Sequence, residues 1–120
     1  MVDKEQLMKI ISRVLDPEHP IPVTDMGIVT PEDVEINDDE IKVEFSPTTP
    51  FCPAGGVIGA VIKKTLIDAL PGKKITVITK AGSHTQEEMI NQALEDKETY
   101  ENIIKKLEEM GVLERCILPA

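Results

Sequence analysis

From Ile41 to Thr79 the chain runs through an alternating apolar segment, a Pro-Phe-Cys-Pro loop, an apolar helical stretch and a second β-prone segment. Ile41, Val43 and Phe45 alternate with Lys42 and Glu44, which puts one face of a strand in a core and the other in water. Val34 and Ile36 precede them across Asn37-Asp38-Asp39, so a hairpin with one buried face is predicted. Gly55 to Leu70 then carries Val57, Ile58, Val61, Ile62, Leu66, Ala69 and Leu70 at helical spacing and stops at Pro71-Gly72. Lys74 to Thr79 reads as a third strand. A hairpin, a helix and one further strand define an α+β class, a small mixed three-stranded sheet packed with helices.

The flanks are helical. Leu7, Ile10, Ile11, Val14 and Leu15 recur at three- and four-residue spacing, which predicts an amphipathic helix from Asp3, its N-cap, to Leu15. Pro17, Pro20 and Pro22 stop it and impose an ordered loop. Near the C-terminus, Thr85 and Glu88 form a capping box. Met89, Ile90, Ala93, Leu94, Ile103, Ile104, Leu107 and Met110 continue as a core stripe, ended by Gly111. Lys97 interrupts that stripe, so one long helix and two shorter ones both fit. The apolar tail, Val112 to Leu118, should pack or pair with a sheet edge. A chain of 120 residues supports one core: residues 1–80 form the main body and residues 81–120 a C-terminal helical extension of the same domain. With only Phe45, Phe51 and Tyr100 as aromatics, that core must be built of Ile, Val, Leu, Ala and Met.

A net charge of -9 repels polyanions. The pairs Lys63-Lys64, Lys73-Lys74 and Lys105-Lys106 read as solvated faces or element ends, so nucleic-acid binding is not expected. No apolar run approaches the ~18 residues of a membrane span, and Met1 to Gln6 is charged rather than signal-like. A cytoplasmic protein with its two cysteines, Cys52 and Cys116, as free thiols is expected.

Cys52 is the residue best placed for chemistry. Pro53 suits the first position of a helix, which puts Cys52 at or near the N-cap. Unpaired N–H groups and the helix dipole there favour the thiolate and lower its pKa below about 8.5. A thiolate is what both nucleophilic attack and iron or zinc ligation require, and Gly55 and Gly56 leave the first turn bare. A small buried hydrophobe is the usual fate of a free cysteine, but the flanking prolines in a strand-to-helix loop argue against it here. Cys116, beside Ile117, does fit that description. On the residues alone, Asp16 reads as part of a helix-ending turn, Asp25 as an Asx-turn, and His84 as a surface-loop histidine within reach of a base or metal-ligand role.

Asp16-Pro17-Glu18, Asp25-Met26-Gly27-Ile28-Val29 and Thr48-Thr49-Pro50-Phe51-Cys52-Pro53 together, in this order and joined by the same elements, resemble the SufT/PaaD-like family of metal-sulfur cluster biosynthesis proteins. The resemblance covers Leu7 to about Thr79. It implies a small α+β domain, a role in maturing iron-sulfur proteins, and a reactive cysteine at Cys52 with Asp25 and Thr49 nearby. Asp16 matches the acidic residue of the early motif, and Glu18 in the same segment is a further candidate. It also implies self-association, expected as a homodimer, and partners that include iron-sulfur apoproteins and a P-loop ATPase carrier. After the third strand many members have a Trp-containing segment. Here Gly82-Ser83-His84 and a long acidic helical extension stand in its place, similar to some archaeal members.

Three functions compete. The first is an assembly or carrier protein, not an enzyme, in which Cys52 transiently holds iron or an iron-sulfur cluster. One cysteine cannot complete a four-thiolate site, so a second chain, Asp25, His84 or an external thiol must contribute. The second is an adaptor without chemistry, docking assembly partners. The third, ranked lowest, is a thiol enzyme with Cys52 as nucleophile and His84 as base.

Overall fold

The structure, a computed structural model, describes residues 3–15, 21–46, 55–80, 87–111, 113 and 117. Asp16, Glu18, Thr49, Cys52, His84, Thr85 and Cys116 lie outside the described residues, and so do the expectations placed on them.

The first helix, α1 (Lys4–Ile11), starts as predicted. Asp3 is its N-cap, accepting from the Gln6 N–H at 2.8 Å, while the Gln6 side chain accepts from the Asp3 N–H. It ends earlier than the apolar spacing suggests. Ser12 is the C-cap, and the Val14 carbonyl accepts from the Val23 N–H at 2.9 Å. Val14 and Leu15 form isolated bridges to Ile117 and Pro22 instead of continuing the helix. Val14 is still fully buried, so its apolar character reported burial and not helix. The tail pairs through Ile117, and its partner is Val14 rather than an edge of the main sheet.

A short 3-10 turn (Pro31–Asp33) leads into β1 (Val34–Ile36), which pairs antiparallel with β2 (Glu40–Phe45); Val34 faces Val43 and Ile36 faces Ile41. This is the predicted hairpin. Helix α2 (Gly55–Ala69) crosses over to β3 (Lys74–Thr79), which pairs parallel with β2 in register from Glu40–Lys74 to Phe45–Thr79. The sheet order is β1-β2-β3, a mixed three-stranded sheet, so the α+β expectation holds. One face carries the buried Val34, Ile41, Val43, Phe45, Ile75 and Val77. The other carries Glu35, Lys42, Glu44 and Lys74, as a sheet with one wet face should.

The last third contains two helices, α3 (Glu87–Glu95) and α4 (Lys97–Glu109). Asp96 separates them. As the N-cap of α4 it accepts from the Thr99 N–H at 3.2 Å and from the Thr99 hydroxyl, which holds its carboxyl below the usual range. Ile90, Leu94, Tyr100, Ile104 and Leu107 are buried. Met89 and Met110 are not the core residues the spacing implied, each being 64% exposed. Met89 lies one residue, about 100°, off the stripe through Ile90 and Leu94. Met110 would fall on the stripe, but it is already the C-cap, and Gly111 turns the chain away at φ 74.

At Gly59, α2 approaches Phe45 of the sheet and Leu94 of α3 closely. A Cβ built on Gly59 would lie 2.7 Å from Phe45 Cζ and 2.7 Å from Leu94 Cδ1, and both of those side chains are essentially fully buried. Alanine favours a helix interior by about 1 kcal/mol over glycine, but overpacking a closed core costs about 1–3 kcal/mol. Gly59→Ala should therefore lower the denaturant midpoint with an unchanged m-value. A raised midpoint would show that Phe45 and Leu94 can yield.

Candidate functional site at the ends of the parallel strands

Parallel pairing fixes where the chain enters and leaves the site region. The segments carrying Cys52 and His84 depart from the ends of β2 and β3 respectively, which lie side by side at one edge of the sheet. The Lys80 N–H donates to the Phe45 carbonyl at 2.8 Å, closing that edge. The Ser46 N–H donates to the Ile28 carbonyl at 2.9 Å, which ties the turn holding Asp25 to the same edge.

Backbone bonds build that turn. The Asp25 and Met26 N–H groups donate to the Pro22 carbonyl at 2.9 and 3.2 Å, and the Ile28 N–H donates to the Val23 carbonyl at 3.0 Å. Gly27 sits at φ 75, a left-handed conformation that glycine adopts without a Cβ clash. The result is a sharp reversal in which Val23, Ile28 and Val29 are buried while Asp25 is exposed. The motif Asp25 to Val29 is thus an anchored turn that presents a carboxylate at the surface. Of the predicted site residues, Asp25 is the one among the described residues.

Two polar contacts hold this edge that the sequence did not single out. Asp33 accepts from the Thr30 N–H at 3.1 Å and the Thr30 hydroxyl at 3.0 Å, and pairs with Lys80 Nζ at 3.1 Å. This joins the segment after the Asp25 turn to the end of β3. Burial raises the Asp33 pKa, but the hydrogen bonds from the Thr30 backbone, Lys80 and the Thr30 hydroxyl outweigh it, so its carboxyl sits below the ordinary value. Lys80 is correspondingly pushed up, first by its hydrogen bond to Asp33. Further along the edge, the Thr79 N–H and hydroxyl both donate to Asn91 Oδ1, at 2.8 and 3.0 Å, docking α3 on β3. Thr30-Pro31-Glu32-Asp33 is a capping-box pattern and could have flagged Asp33. Nothing local could have paired it with Lys80, 47 positions away.

Among the described residues no group of three or more His, Cys, Asp or Glu side chains could hold a metal ion, and no helix is long and apolar enough to cross a membrane.

Asp33→Asn should destabilise the fold by about 1–2 kcal/mol at pH 7, through a lost charged acceptor at a cap. A depressed carboxylate stabilises above its unfolded pKa of about 3.9, and that contribution is lost as pH falls through its lower folded value. The gap between wild type and Asp33→Asn in urea titrations should accordingly shrink below about pH 4. A gap independent of pH would mean that the ionised form is not what holds this edge.

Residues 4–79 match the sequence profile of the family described as iron-sulfur cluster assembly protein. Cytosolic iron-sulfur assembly component 2B from Dictyostelium discoideum is 36% identical over 99 residues, covering 80% of this chain and 61% of that protein. MIP18 family protein galla-2 from Drosophila melanogaster is 31% identical over 118 residues, covering 96% of this chain and 76% of that one. The second alignment therefore takes in α3 and α4. In fold, the chain resembles the crystal structure of a domain of unknown function, DUF59, from Bacillus anthracis. The TM-score is 0.60 at 24% identity, over 78% of this chain and 92% of that one.

Proposed function

The chain belongs to the family of iron-sulfur cluster assembly proteins, and on that premise we propose that it is an assembly or maturation factor acting through Cys52. The observation that carries this reading is the convergence at one sheet edge. The Asp25 turn is bonded to Ser46, where the chain departs toward Thr49 and Cys52, and Phe45 is bonded to Lys80, where it departs toward His84. Helix α2 begins at Gly55, three positions after Cys52, and is 15 residues long. Its N-terminal N–H groups and dipole favour a thiolate close by.

Iron or a cluster is the cargo here, held transiently and passed to an apoprotein. A single thiolate leaves coordination positions that Cys52 of a second chain, Asp25, His84 or a client thiol would fill. We assign Thr49 a place beside Cys52, and Asp16 and Glu18 supporting acidic roles. The chemistry is transfer and not catalysis. Its partners are iron-sulfur apoproteins and a P-loop ATPase carrier in the cytoplasm, and the working unit is a homodimer.

Anaerobic reconstitution with ferrous iron and sulfide tests the reading. The wild-type chain should gain the visible absorbance of a thiolate-bound cluster and Cys52→Ala should lose it, with Asp25→Ala intermediate. Equal absorbance from wild type and Cys52→Ala would remove Cys52 as a ligand. Normal cluster delivery in cells by Cys52→Ser would point instead to an adaptor that docks partners without chemistry.

If two chains share the cargo, light scattering should show the reconstituted protein at twice the mass of the apo chain, reverting on chelation. A loaded monomer would place the remaining ligands within one chain or on a small thiol.

A further inference from the structure

We propose that α4 is a strap that opens from α2 as a unit, about the single residue Asp96, while the sheet, α1, α2 and α3 stay folded. The two C-terminal helices are attached differently. α3 is fixed to β3 by two hydrogen bonds, from the Thr79 N–H and hydroxyl to Asn91 Oδ1 at 2.8 and 3.0 Å. α4 packs on α2 and α3. Among the described residues, however, no hydrogen bond or salt bridge runs from it to another helix or to the sheet. Its buried side chains are also less enclosed: Tyr100 and Ile104 keep 8% exposure and Leu107 6%, where Ile58, Ile62 and Leu66 of α2 keep none.

Tyr100 carries a cost at that contact. Its hydroxyl oxygen is buried with no hydrogen-bond partner among the described residues, a state that leaves its desolvation uncompensated. Burial, then the charges of Asp68 and Glu101, push the phenol pKa up, and no hydrogen bond offsets them. Lys63 Nζ lies 4.7 Å from the ring centroid, and burial lowers its pKa with Glu95 opposing. When α4 lifts, the hydroxyl regains water. Lys63 keeps its bond to the Leu94 carbonyl at 2.6 Å, because α3 has not moved.

Packing points the same way. A cavity of about 540 Å³ lies between the two helices, lined by Lys63, Lys64 and Ile67 of α2 and by Tyr100, Ile104 and Lys105 of α4. Ile67 is 38% exposed there. The side of α2 turned toward α4 is thus left partly open, and the dispersion contacts that would fill the gap are missing. The ends of α4 permit the motion. Asp96 alone separates it from α3, in an extended conformation at φ -74 and ψ 112. Beyond α4, the tail meets α1's end through the isolated bridge between Ile117 and Val14. An element with no polar tie to its neighbours, an incompletely filled contact and an unsatisfied buried group is where a fold opens below its global limit.

Amide hydrogen exchange of the full chain tests this, followed by NMR in increasing low urea at a pH where reclosing outruns chemical exchange. The amides of Glu101 to Leu107 should exchange as one group, more than about tenfold faster than the slowest amides of β2 and α2, and with a smaller urea dependence. Ile41→Val, on β2, should speed exchange in the sheet about fivefold and leave the α4 group at its wild-type rate, because the contacts of Ile41 survive the opening. Tyr100→Phe should slow the α4 group about tenfold, since the hydroxyl whose hydration favours opening is gone. Exchange of α4 and β2 amides at one rate with one urea dependence would overturn the proposal, and the wild-type chain alone decides that. So would an α4 rate that rises with Ile41→Val, or one that Tyr100→Phe leaves unchanged or raises.

Discussion

Because β2 and β3 run parallel, the chain between them must travel back along the sheet, and α2 makes that return. The rest of the structure depends on this geometry. It obliges an apolar helix to lie against the sheet, which α2 does, packing along β3 and burying Ile58, Val61, Ile62 and Leu66. It also requires close approach where Phe45 ends β2, and Gly59 supplies the missing Cβ volume there. The same parallel direction sends the segments containing Cys52 and His84 out from one edge of the sheet.

That edge is held by a few polar contacts laid over the apolar core. The Asp25 turn is attached by a backbone bond between Ser46 and Ile28, and the segment after it by Thr30, Asp33 and Lys80. Asp33 is a nearly buried carboxylate, which is tolerable because its charge has three donors. A hydrophobic residue at that position could fill the space. It could not join the turn to the strand end in one register.

α3 and α4 complete the sheet as well as the core. The Lys74 and Lys80 N–H groups point toward the β2 side, to the carbonyls of Asp39 and Phe45, so the Thr79 N–H points away from it. Asn91 takes that donor, and α3 packs along the strand that terminates the sheet. A covering helix is one way to keep a β-branched edge from pairing with another chain. On the far side of α2, Lys63 reaches across to the Leu94 carbonyl and the Tyr100 ring, so a residue of one of the short basic pairs is a tie between three helices.

The amino-acid sequence by itself determined the local elements. Alternation over Ile41 to Phe45, helical spacing over Gly55 to Ala69 and the cap at Asp3 need only neighbours within a few residues, and each matches the structure. It also pointed to the family, since the three motifs all lie within the stretch that the family profile matches. Where periodicity misled, at Val14, Leu15, Met89 and Met110, the reasons differ: Ile117 and Pro22 take up the first two, Met89 lies off the buried stripe of α3, and Met110 falls at the end of α4. The Asp33–Lys80 pair, the Asn91 dock and the Tyr100 cleft were decided by tertiary structure alone. Each joins groups on separate elements, and only the folding of α2 between parallel strands brings those elements together.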